Sequence, residues 1–236
     1  MKDILTQGLA QLNIAPPEGA VDKLCRYAGL LVEQNRVMNL TAITQPEGIA
    51  RLHFLDSAAL LPLLGDTAGR RLIDVGTGAG FPGLVLKILS PGLELTLLDS
   101  LGKRVDWLGR VAQELELTGV TCIHARAEEQ ALVKGWRDSF DFVTARAVAD
   151  LRLLSELCLP YAKVGGAFLA MKSVDSDAEL QSAAHAISVL GGQVAAKEDY
   201  LIPGTQVQHR LIIIEKVSPT PAKYPRGFAK IKKSPL

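Results

Sequence analysis

The chain has 236 residues, of which 48% are hydrophobic and 22% are charged, and its formal net charge is +1. These proportions are typical of a globular protein and exclude a disordered, collagen-like or disulfide-framework chain. A chain of this length buries about 70% of the surface that its unfolded form exposes, so its core needs no added cross-links. Aromatic residues make up only 5%, which argues against a surface built mainly of base-stacking rings.

The charge is distributed unevenly along the chain. Residues 217–236 contain five basic residues and no acidic one, whereas residues 1–216 contain 21 basic and 25 acidic residues and carry a charge of −4. A basic tail on a mildly acidic body suggests a polyanionic partner. A solvated terminus that aids solubility explains the same pattern, and both explanations stay open at this point.

The expected compartment follows from the N-terminus and the cysteines. The first residues have no long apolar core followed by a small-residue cleavage site, and no stretch reaches about 18 apolar residues. Cys25, Cys122 and Cys158 form no C-x-x-C pair, and the four histidines do not have the spacing of a zinc site. We therefore expect a cytoplasmic monomer that binds no metal and no membrane.

The predicted elements change type near residue 70. Apolar residues at helical spacing predict one helix over 21–32 and a second over 46–63, with Pro46 in its first turn. Further on, predicted strands at 71–75, 94–98, 120–123, 140–144 and 166–171 alternate with helices at 84–89, 102–117, 151–160 and 178–190. Segments 193–201 and 210–216 predict a closing hairpin. The alternation predicts an α/β fold whose mostly parallel sheet is covered by helices on both faces.

This pattern divides the chain into three parts. We predict a helical extension at 1–68 that packs on the α/β domain, the α/β domain itself at 69–217, and a basic tail at 218–236.

The densest signal is the segment 74–83, which reads D-V-G-T-G-A-G-F-P-G. Its glycines follow a predicted strand and open a helix, where positive φ angles and a close approach of ligand to backbone are possible. The next strand ends at Asp99, 21 residues after Gly78. That is the spacing of a carboxylate that accepts hydrogen bonds from a ribose.

Two ligands compete for this loop. Gly78–Gly83 satisfies G-x-G-x-x-G, so a dinucleotide and an NAD-dependent oxidoreductase remain an alternative. However, Asp74 places a negative charge where a pyrophosphate would lie, and like charges repel. The sulfonium and amino groups of S-adenosylmethionine suit that charge better, which favours a methyltransferase. A tight glycine turn in an unrelated sheet is the structural alternative.

From about residue 32 to the C-terminus, the chain resembles the RsmG/GidB family of small-subunit rRNA guanine-N7 methyltransferases. Besides the glycine segment, the resemblance rests on N-L-T at 39–41, H-F-L-D-S at 53–57, L-L-D-S-L-G-K-R at 97–104, A-R-A-E-E at 125–129, A-R-A at 145–147 and A-M-K at 170–172. The tail resembles the basic tail of many members but departs from their pattern between 227 and 231.

The resemblance implies a Rossmann-like class I methyltransferase fold, S-adenosylmethionine as cofactor, and 16S rRNA or the small ribosomal subunit as partner. It implies that the glycine loop holds the methionine part, that the acid after the second strand holds the ribose, and that the A-R-A-E-E segment lines the adenine pocket. The implied cofactor-binding residues are Asp74, Gly76, Gly78, Phe81, Asp99, Ser100, Ala127, Glu128 and Arg146.

The residue inventory agrees with N7 chemistry. Guanine N7 has a free lone pair, so its methylation needs correct placement of the base and no general base. There is no Pro-Cys pair for attack at pyrimidine C5, and the only Pro-Pro pair, at 16–17, does not match the loop of amino-group methyltransferases. The same inventory fits several small-molecule methyltransferases, and a non-enzymatic RNA-binding protein is a further alternative.

Six further polar positions are candidates for the predicted site. Arg146 and Lys172 each end a predicted strand on the cofactor side, and we predict catalytic roles for both, with Arg146 donating to guanine O6 or to a phosphate. His53 and Asp56 lie on one helical face, and we favour a packing contact with the sheet domain over a role in the cleft. Lys103 and Arg104 fit an RNA contact and a solvated helix face equally well.

Overall fold

A computed structural model describes residues 1–146 and 149–236 of the chain. Ala147 of the A-R-A segment lies outside the described residues. The N-terminal part is helical: α1 (Lys2–Gln11) is followed by the long helix α2 (Ala20–Met38). Helix α2 buries one face, which includes Leu24, Tyr27 and Leu31. It therefore packs as the amphipathic spacing predicts.

The predicted helix over 46–63 is confirmed in its position, but it is not a single regular α-helix. Its first turn, α3 (Pro46–Gly48), starts at Pro46 as expected, but a π-helical segment, Ile49–Leu55, follows it. Two short α-helical pieces complete the region, α4 (Asp56–Ala58) and α5 (Leu61–Leu64). A π-helix is rare and pairs residues five apart, and it is frequently found at functional sites. Apolar spacing alone does not reveal it.

The rest of the chain alternates between strands and helices. In order these are β1 (Arg71–Val75), α6 (Gly83–Leu89), β2 (Glu94–Asp99), α7 (Gly102–Glu114), β3 (Val120–His124), α8 (Ala127–Gln130), β4 (Phe140–Arg146), α9 (Leu151–Cys158), β5 (Ala162–Ser173), α10 (Asp177–Val189), β6 (Gly192–Leu201), β7 (Gln208–Lys216) and α11 (Phe228–Lys233).

The strands of the described residues form one seven-stranded sheet in the order β3-β2-β1-β4-β5-β7-β6. The first five strands are parallel, and β7 pairs antiparallel with both β5 and β6. This confirms the mostly parallel α/β sheet and the closing hairpin that the sequence predicts. The strand order reverses at β1, which lies between β2 and β4, and such a switch point is where open α/β sheets bind ligands.

Two apolar layers enclose the sheet. One joins the N-terminal helices to α6, α7 and one sheet face, and its buried members include Leu9, Tyr27 and Phe54. The other lies under α9 and α10 and includes Phe168 and Ile187. Burial of these side chains supplies most of the driving force for folding.

The C-terminal segment packs against the second layer. Tyr224 and Ile231 are buried there. The Arg137 guanidinium donates to the Tyr224 carbonyl at 2.8 Å, and Arg226 donates to the fully buried Glu156 carboxylate at 2.6 Å and 2.8 Å. Part of the basic tail is therefore structural. None of the helices in the described part of the chain is both long and apolar enough to cross a membrane.

A buried lysine joins the end of β7 to the loops around β4 and β5. The Lys216 ammonium donates to Asp138 at 2.8 Å and to the carbonyls of Leu159 and Ala162 at 2.7 Å and 2.9 Å, and its side chain is fully buried. Replacing it leaves a carboxylate and two buried carbonyls without their donor.

We predict that Lys216→Met lowers the free energy of unfolding by about 3–5 kcal/mol, the usual result of removing one partner of a buried ion pair. Lys197→Met on the neighbouring strand β6 removes a half-exposed lysine paired with Asp177 and serves as the control, with little change expected. Denaturant titration of both variants measures the difference. Equal stability of the two variants would show that the buried contacts of Lys216 contribute nothing.

Candidate functional site

The bend from β1 into α6 is organised by a carboxylate underneath it. Asp74 is fully buried, and its Oδ2 accepts hydrogen bonds from the Thr77 hydroxyl at 2.7 Å and from the Gly83 backbone N–H at 3.0 Å. Burial raises the pKa of Asp74 to about 6. Because Asp74 ties both ends of the bend together, it sets the shape of the loop.

The backbone of the loop requires glycine at three positions. Gly76, Gly78 and Gly80 have φ values of 69°, 59° and 93°, a region that side chains other than glycine rarely adopt. A Cβ atom on Gly78 would come no closer to the protein than the Gly76 carbonyl oxygen, at 3.9 Å, and would extend into the cavity above the loop. The space left by this missing side chain is available to a ligand.

The N-terminal helices hold the other side of the loop. The Tyr27 hydroxyl on α2 donates to the Ala79 carbonyl, and Tyr27 is buried. A Cβ atom on Gly80 would lie 2.6 Å from that hydroxyl oxygen and 2.9 Å from Leu108. The loop is therefore clamped between α2 and α7, and the helical extension is part of the scaffold of the site.

Asp99 ends β2 beside the loop. Its Oδ2 accepts from the Gly78 N–H at 2.9 Å, its Oδ1 accepts from the Leu101 N–H at 2.9 Å, and the Arg104 guanidinium lies 3.6 Å from Oδ2. A carboxylate oxygen can accept two hydrogen bonds, so each oxygen keeps the capacity to accept one more. The two hydroxyls of a ribose match that capacity.

Two adjoining cavities meet at the carboxyl ends of β1 and β2. The larger has a volume of about 430 Å³ and is lined by the loop residues 76–79 with His53, Phe81, Asp99, Ser100 and Arg146. The smaller has a volume of about 170 Å³ and is lined by Gly76, Asp99, Ser100, Ala127, Glu128 and Phe228. Gly76, Asp99 and Ser100 belong to both, so one elongated ligand can occupy the two cavities together.

A buried network reaches the larger cavity from the N-terminal extension. Asp56, only 1% exposed, accepts hydrogen bonds from Arg146 at 3.0 Å, Tyr200 at 2.8 Å and His209 at 2.7 Å. Burial alone would raise the pKa of Asp56, but the hydrogen bond from His209 and the charge of Arg146 outweigh it, so the pKa lies below its ordinary value. The network joins the helical extension to β4, β6 and β7, and it fixes the Arg146 side chain.

Arg146 and His53 meet at the face of one aromatic ring. The Arg146 guanidinium lies 4.9 Å from the centre of the Phe81 ring, and the His53 ring stacks on Phe81 with centroids 4.6 Å apart. Because a guanidinium only donates, we assign His53 Nδ1 as the acceptor from Arg146 at 3.3 Å and Nε2 as the donor to the Thr41 hydroxyl at 2.8 Å. Burial, assisted by the charge of Arg146, lowers the pKa of His53 to about 4. His53 is therefore neutral at pH 7, with both ring nitrogens engaged.

The structure brings most of the predicted site residues to these cavities, with two exceptions. The side chain of Asp74 lies beneath the loop and not in a cavity, because it binds Thr77 and Gly83. Lys172 is directed elsewhere, since its ammonium donates to Glu179 at 2.5 Å and to the Ala149 carbonyl at 2.6 Å. Neither residue lines the two cavities, so direct cofactor contact for Asp74 and a catalytic role for Lys172 stay predictions that the cavity linings do not support.

Three contributors to the site were missed in the sequence. His53 lines the larger cavity, although a packing contact was favoured for it, and the H-F-L-D-S segment was the signal. Thr41, in the N-L-T segment, binds His53. Phe228 lines the smaller cavity, although it lies in the stretch between 227 and 231 where the tail departs from the family pattern. No spacing in the sequence connects it to β2.

S-adenosylmethionine fits these residues. The smaller cavity offers apolar walls for an adenine ring, Asp99 offers acceptors to a ribose at the junction, and the glycine loop leaves room for the methionine part. Among residues 1–146 and 149–236, no group of three or more His, Cys, Asp or Glu side chains is arranged to hold a metal ion.

Comparisons with known proteins agree with this geometry. The family model described as GidB, rRNA small subunit methyltransferase G, matches residues 20–203. A ribosomal RNA small subunit methyltransferase G of Staphylococcus carnosus is 49% identical over 233 residues, which cover 98% of this chain and 97% of that protein. The ribosomal RNA small subunit methyltransferase G of Alkaliphilus oremlandii is 43% identical over 236 residues, which cover 100% of this chain and 99% of that protein.

A solved structure of similar fold is a mutant of MtNAS in complex with S-adenosylmethionine. Its TM-score is 0.56 at 16% identity, and the match covers 84% of this chain and 73% of that chain. The expected Rossmann-like class I methyltransferase fold is confirmed. The family match also decides against the NAD-dependent oxidoreductase alternative.

We predict that Asp99→Ala weakens S-adenosylmethionine binding by about 1.5–3 kcal/mol, the cost of losing hydrogen bonds to a charged group. Asp106→Ala, an exposed carboxylate on α7, is the matched control and should leave the affinity unchanged. Calorimetric titration measures both, with thermal melting as the check on folding. An affinity of Asp99→Ala equal to that of the control would mean that the ribose lies elsewhere.

His53 gives a pH prediction. Its pKa is about 4 in the folded chain and about 6.5 in the unfolded chain, so the unfolded state binds more protons between these values. Its contribution to the free energy of unfolding is complete above pH 6.5 and falls as the pH drops toward 4. The wild type should therefore lose stability relative to His53→Phe, which has no titrating group there, when both are measured by denaturant titration at pH 7 and pH 5. A difference that does not change between the two pH values contradicts the low pKa.

Proposed function

We propose that this chain, which belongs to the GidB family of small-subunit ribosomal RNA methyltransferases, methylates N7 of one guanine in 16S ribosomal RNA. The observation that carries the proposal is the Asp99 carboxylate at the junction of two adjoining cavities, directly beside a glycine loop with positive φ angles. When bound, S-adenosylmethionine supplies the electrophilic methyl group on its sulfonium sulfur. The residues of the chain bind the cofactor and the base, orient them, and exclude water from the site.

The cofactor would be held along the sheet edge from the smaller to the larger cavity. Ala127 and Glu128 at the start of α8 would contact the adenine end of the cofactor. Asp99 would accept hydrogen bonds from the ribose hydroxyls, and Ser100 would donate a hydrogen bond to the ribose. Gly76 and Gly78 would face the methionine part. Asp74 would act indirectly, since it keeps the loop in this shape through Thr77 and Gly83.

The target base would enter the larger cavity beside Phe81. Arg146 lies over that ring, and its Nη1 and Nη2 atoms already donate to Asp56 and His53. The N–H groups that these contacts leave unused would donate to guanine O6 or to an RNA phosphate. The stacked rings of His53 and Phe81 offer an apolar wall against which a base can rest. Methylation at N7 removes no proton from the base, so the reaction needs no general base. His53 would therefore not have to accept a proton, and both of its ring nitrogens are already hydrogen-bonded.

A basic surface near the site supports an RNA substrate. Two exposed basic side chains, Lys103 and Arg126, lie on the side of the sheet that carries the cavities. Three further exposed lysines lie on α11, in the C-terminal segment that lines the smaller cavity. Phosphate neutralisation by such groups makes affinity depend on salt. A small-molecule methyltransferase has no need of these charges.

The proposal is tested by incubating the protein with labelled S-adenosylmethionine and small subunits from cells that lack the gene for this protein. We expect the label in 16S rRNA as 7-methylguanosine, identified by mass spectrometry of nuclease digests. Label on another nucleoside, on a protein or on a small molecule would reject the assignment.

Gly78→Ala and Gly109→Ala form the matched pair of variants. At Gly78 the added methyl group is strained by the positive φ and extends into the cavity, so methylation should fall at least tenfold. At Gly109 on α7 a Cβ atom meets nothing within 4 Å, so methylation should be unchanged. Full activity of Gly78→Ala would mean that this loop does not face the cofactor.

A further inference from the structure

The C-terminal helix α11 contributes to the smaller cavity. Phe228, at its first position, lines that cavity together with Leu98, Ala125 and Leu157, and Asp99 lies at the polar end. Flat apolar walls with a carboxylate at one end match an adenine ring joined to a ribose. The Arg126 guanidinium, which also lines this cavity, lies 5.8 Å from the centre of the Phe228 ring.

The same helix carries an exposed cationic group of side chains. Lys230, Lys232 and Lys233 are exposed, and residues 217–236 contain no acidic residue. One helix of six residues therefore presents an aromatic ring to a cavity and three ammonium groups to solvent. Phosphate oxygens of an RNA backbone are the partners that such lysines bind.

The attachment of α11 changes at Gly227. Before it, the chain is held firmly by Arg137 and by the pair between Arg226 and Glu156. After it, within the part of the chain that the structure describes, no side-chain hydrogen bond or ion pair joins residues 228–236 to the other elements, and Ile231 anchors the helix by burial. A helix this short is marginal by itself, so its conformation responds to whatever contacts it.

We propose that α11 is a shared wall of two binding sites: Phe228 contacts the adenine ring of the cofactor, and Lys230, Lys232 and Lys233 contact phosphates of the RNA. Each ligand stabilises the helix position that the other requires, so the two bind cooperatively. The RNA half of this inference rests on the proposed function, whereas the adenine half rests on the cavity alone. Linkage requires the RNA to raise cofactor affinity by the same factor by which the cofactor raises RNA affinity.

The coupling is tested with S-adenosylhomocysteine, which binds as a product and cannot react. Its dissociation constant is measured by calorimetry with and without unmethylated small subunits. We expect about a fivefold or greater gain in affinity for the wild type when the subunits are present, within the usual range of coupling between sites. If the wild type binds the subunits without any such gain, the coupling is overturned; if it binds no ribosomal RNA at all, the proposed function falls together with it.

Neutral variants locate the coupling in α11. In Lys230→Gln with Lys232→Gln and Lys233→Gln, affinity without RNA should stay within twofold of wild type and the gain should disappear. The salt dependence of subunit binding should fall by roughly 0.7–0.9 in slope for each phosphate that the variant no longer neutralises. The control is Lys2→Gln with Lys163→Gln and Lys197→Gln, which removes the same charge from distant exposed lysines and should keep the gain. A gain retained by the α11 variant overturns the role of its lysines.

The adenine contact has its own test, which needs no RNA. Phe228→Ala should weaken S-adenosylhomocysteine binding roughly 5- to 100-fold, the effect that a base stacked on an aromatic ring supplies, and Phe228→Tyr should restore it. Binding of Phe228→Ala within twofold of wild type overturns this contact. Point variants are used in place of a deletion because Tyr224 and Ile231 are part of the core. Melting temperatures equal to that of the wild type verify that the variants are folded.

Discussion

One buried carboxylate under the bend between β1 and α6 is the interaction on which the site depends. Asp74 cannot be solvated there, so its hydrogen bonds to Thr77 and Gly83 hold the two ends of the bend at a fixed separation. Gly76 and Gly78 between them adopt positive φ angles and line the cavity without side chains. The turn leaves room for the cavity because Asp74 holds it from beneath and because Gly76 and Gly78 have no side chains to fill the space above it.

A second buried carboxylate ties the N-terminal extension to the larger cavity. Asp56 lies in the helical region, and its three donors come from β4, β6 and β7. A buried charge is tolerated only when it is paired and hydrogen-bonded, so these elements cannot separate without a large cost. Arg146 consequently has one orientation, over Phe81, before any substrate arrives. The extension is thus a source of site geometry as well as a cover for one face of the sheet.

The features that the sequence did not reveal share a cause. A helix over 46–63 was expected from apolar spacing, which does not distinguish the π-helical segment Ile49–Leu55 from a regular α-helix. Lys172 ends a strand on the expected side, but Glu179 from α10 captures its ammonium. Phe228 reaches the smaller cavity because the Arg226–Glu156 pair and the buried Ile231 hold the tail against the second apolar layer. Each case depends on an interaction between residues that are distant in the chain.

The sequence by itself determined the local chemistry: the period-two strands and helical spacing of an α/β sheet, the glycine turn after Asp74, and the acid at the end of the following strand. These features are local, because strand period, turn conformation and a 21-residue spacing depend on near neighbours along the chain. Only the tertiary structure decided which polar groups face the cavity, since Arg146 is held at its wall by Asp56, 90 residues away in the chain, and Asp56 also binds His209, 153 residues away. Burial selects the partners of a charge in three dimensions, and that selection leaves no periodic trace in the chain.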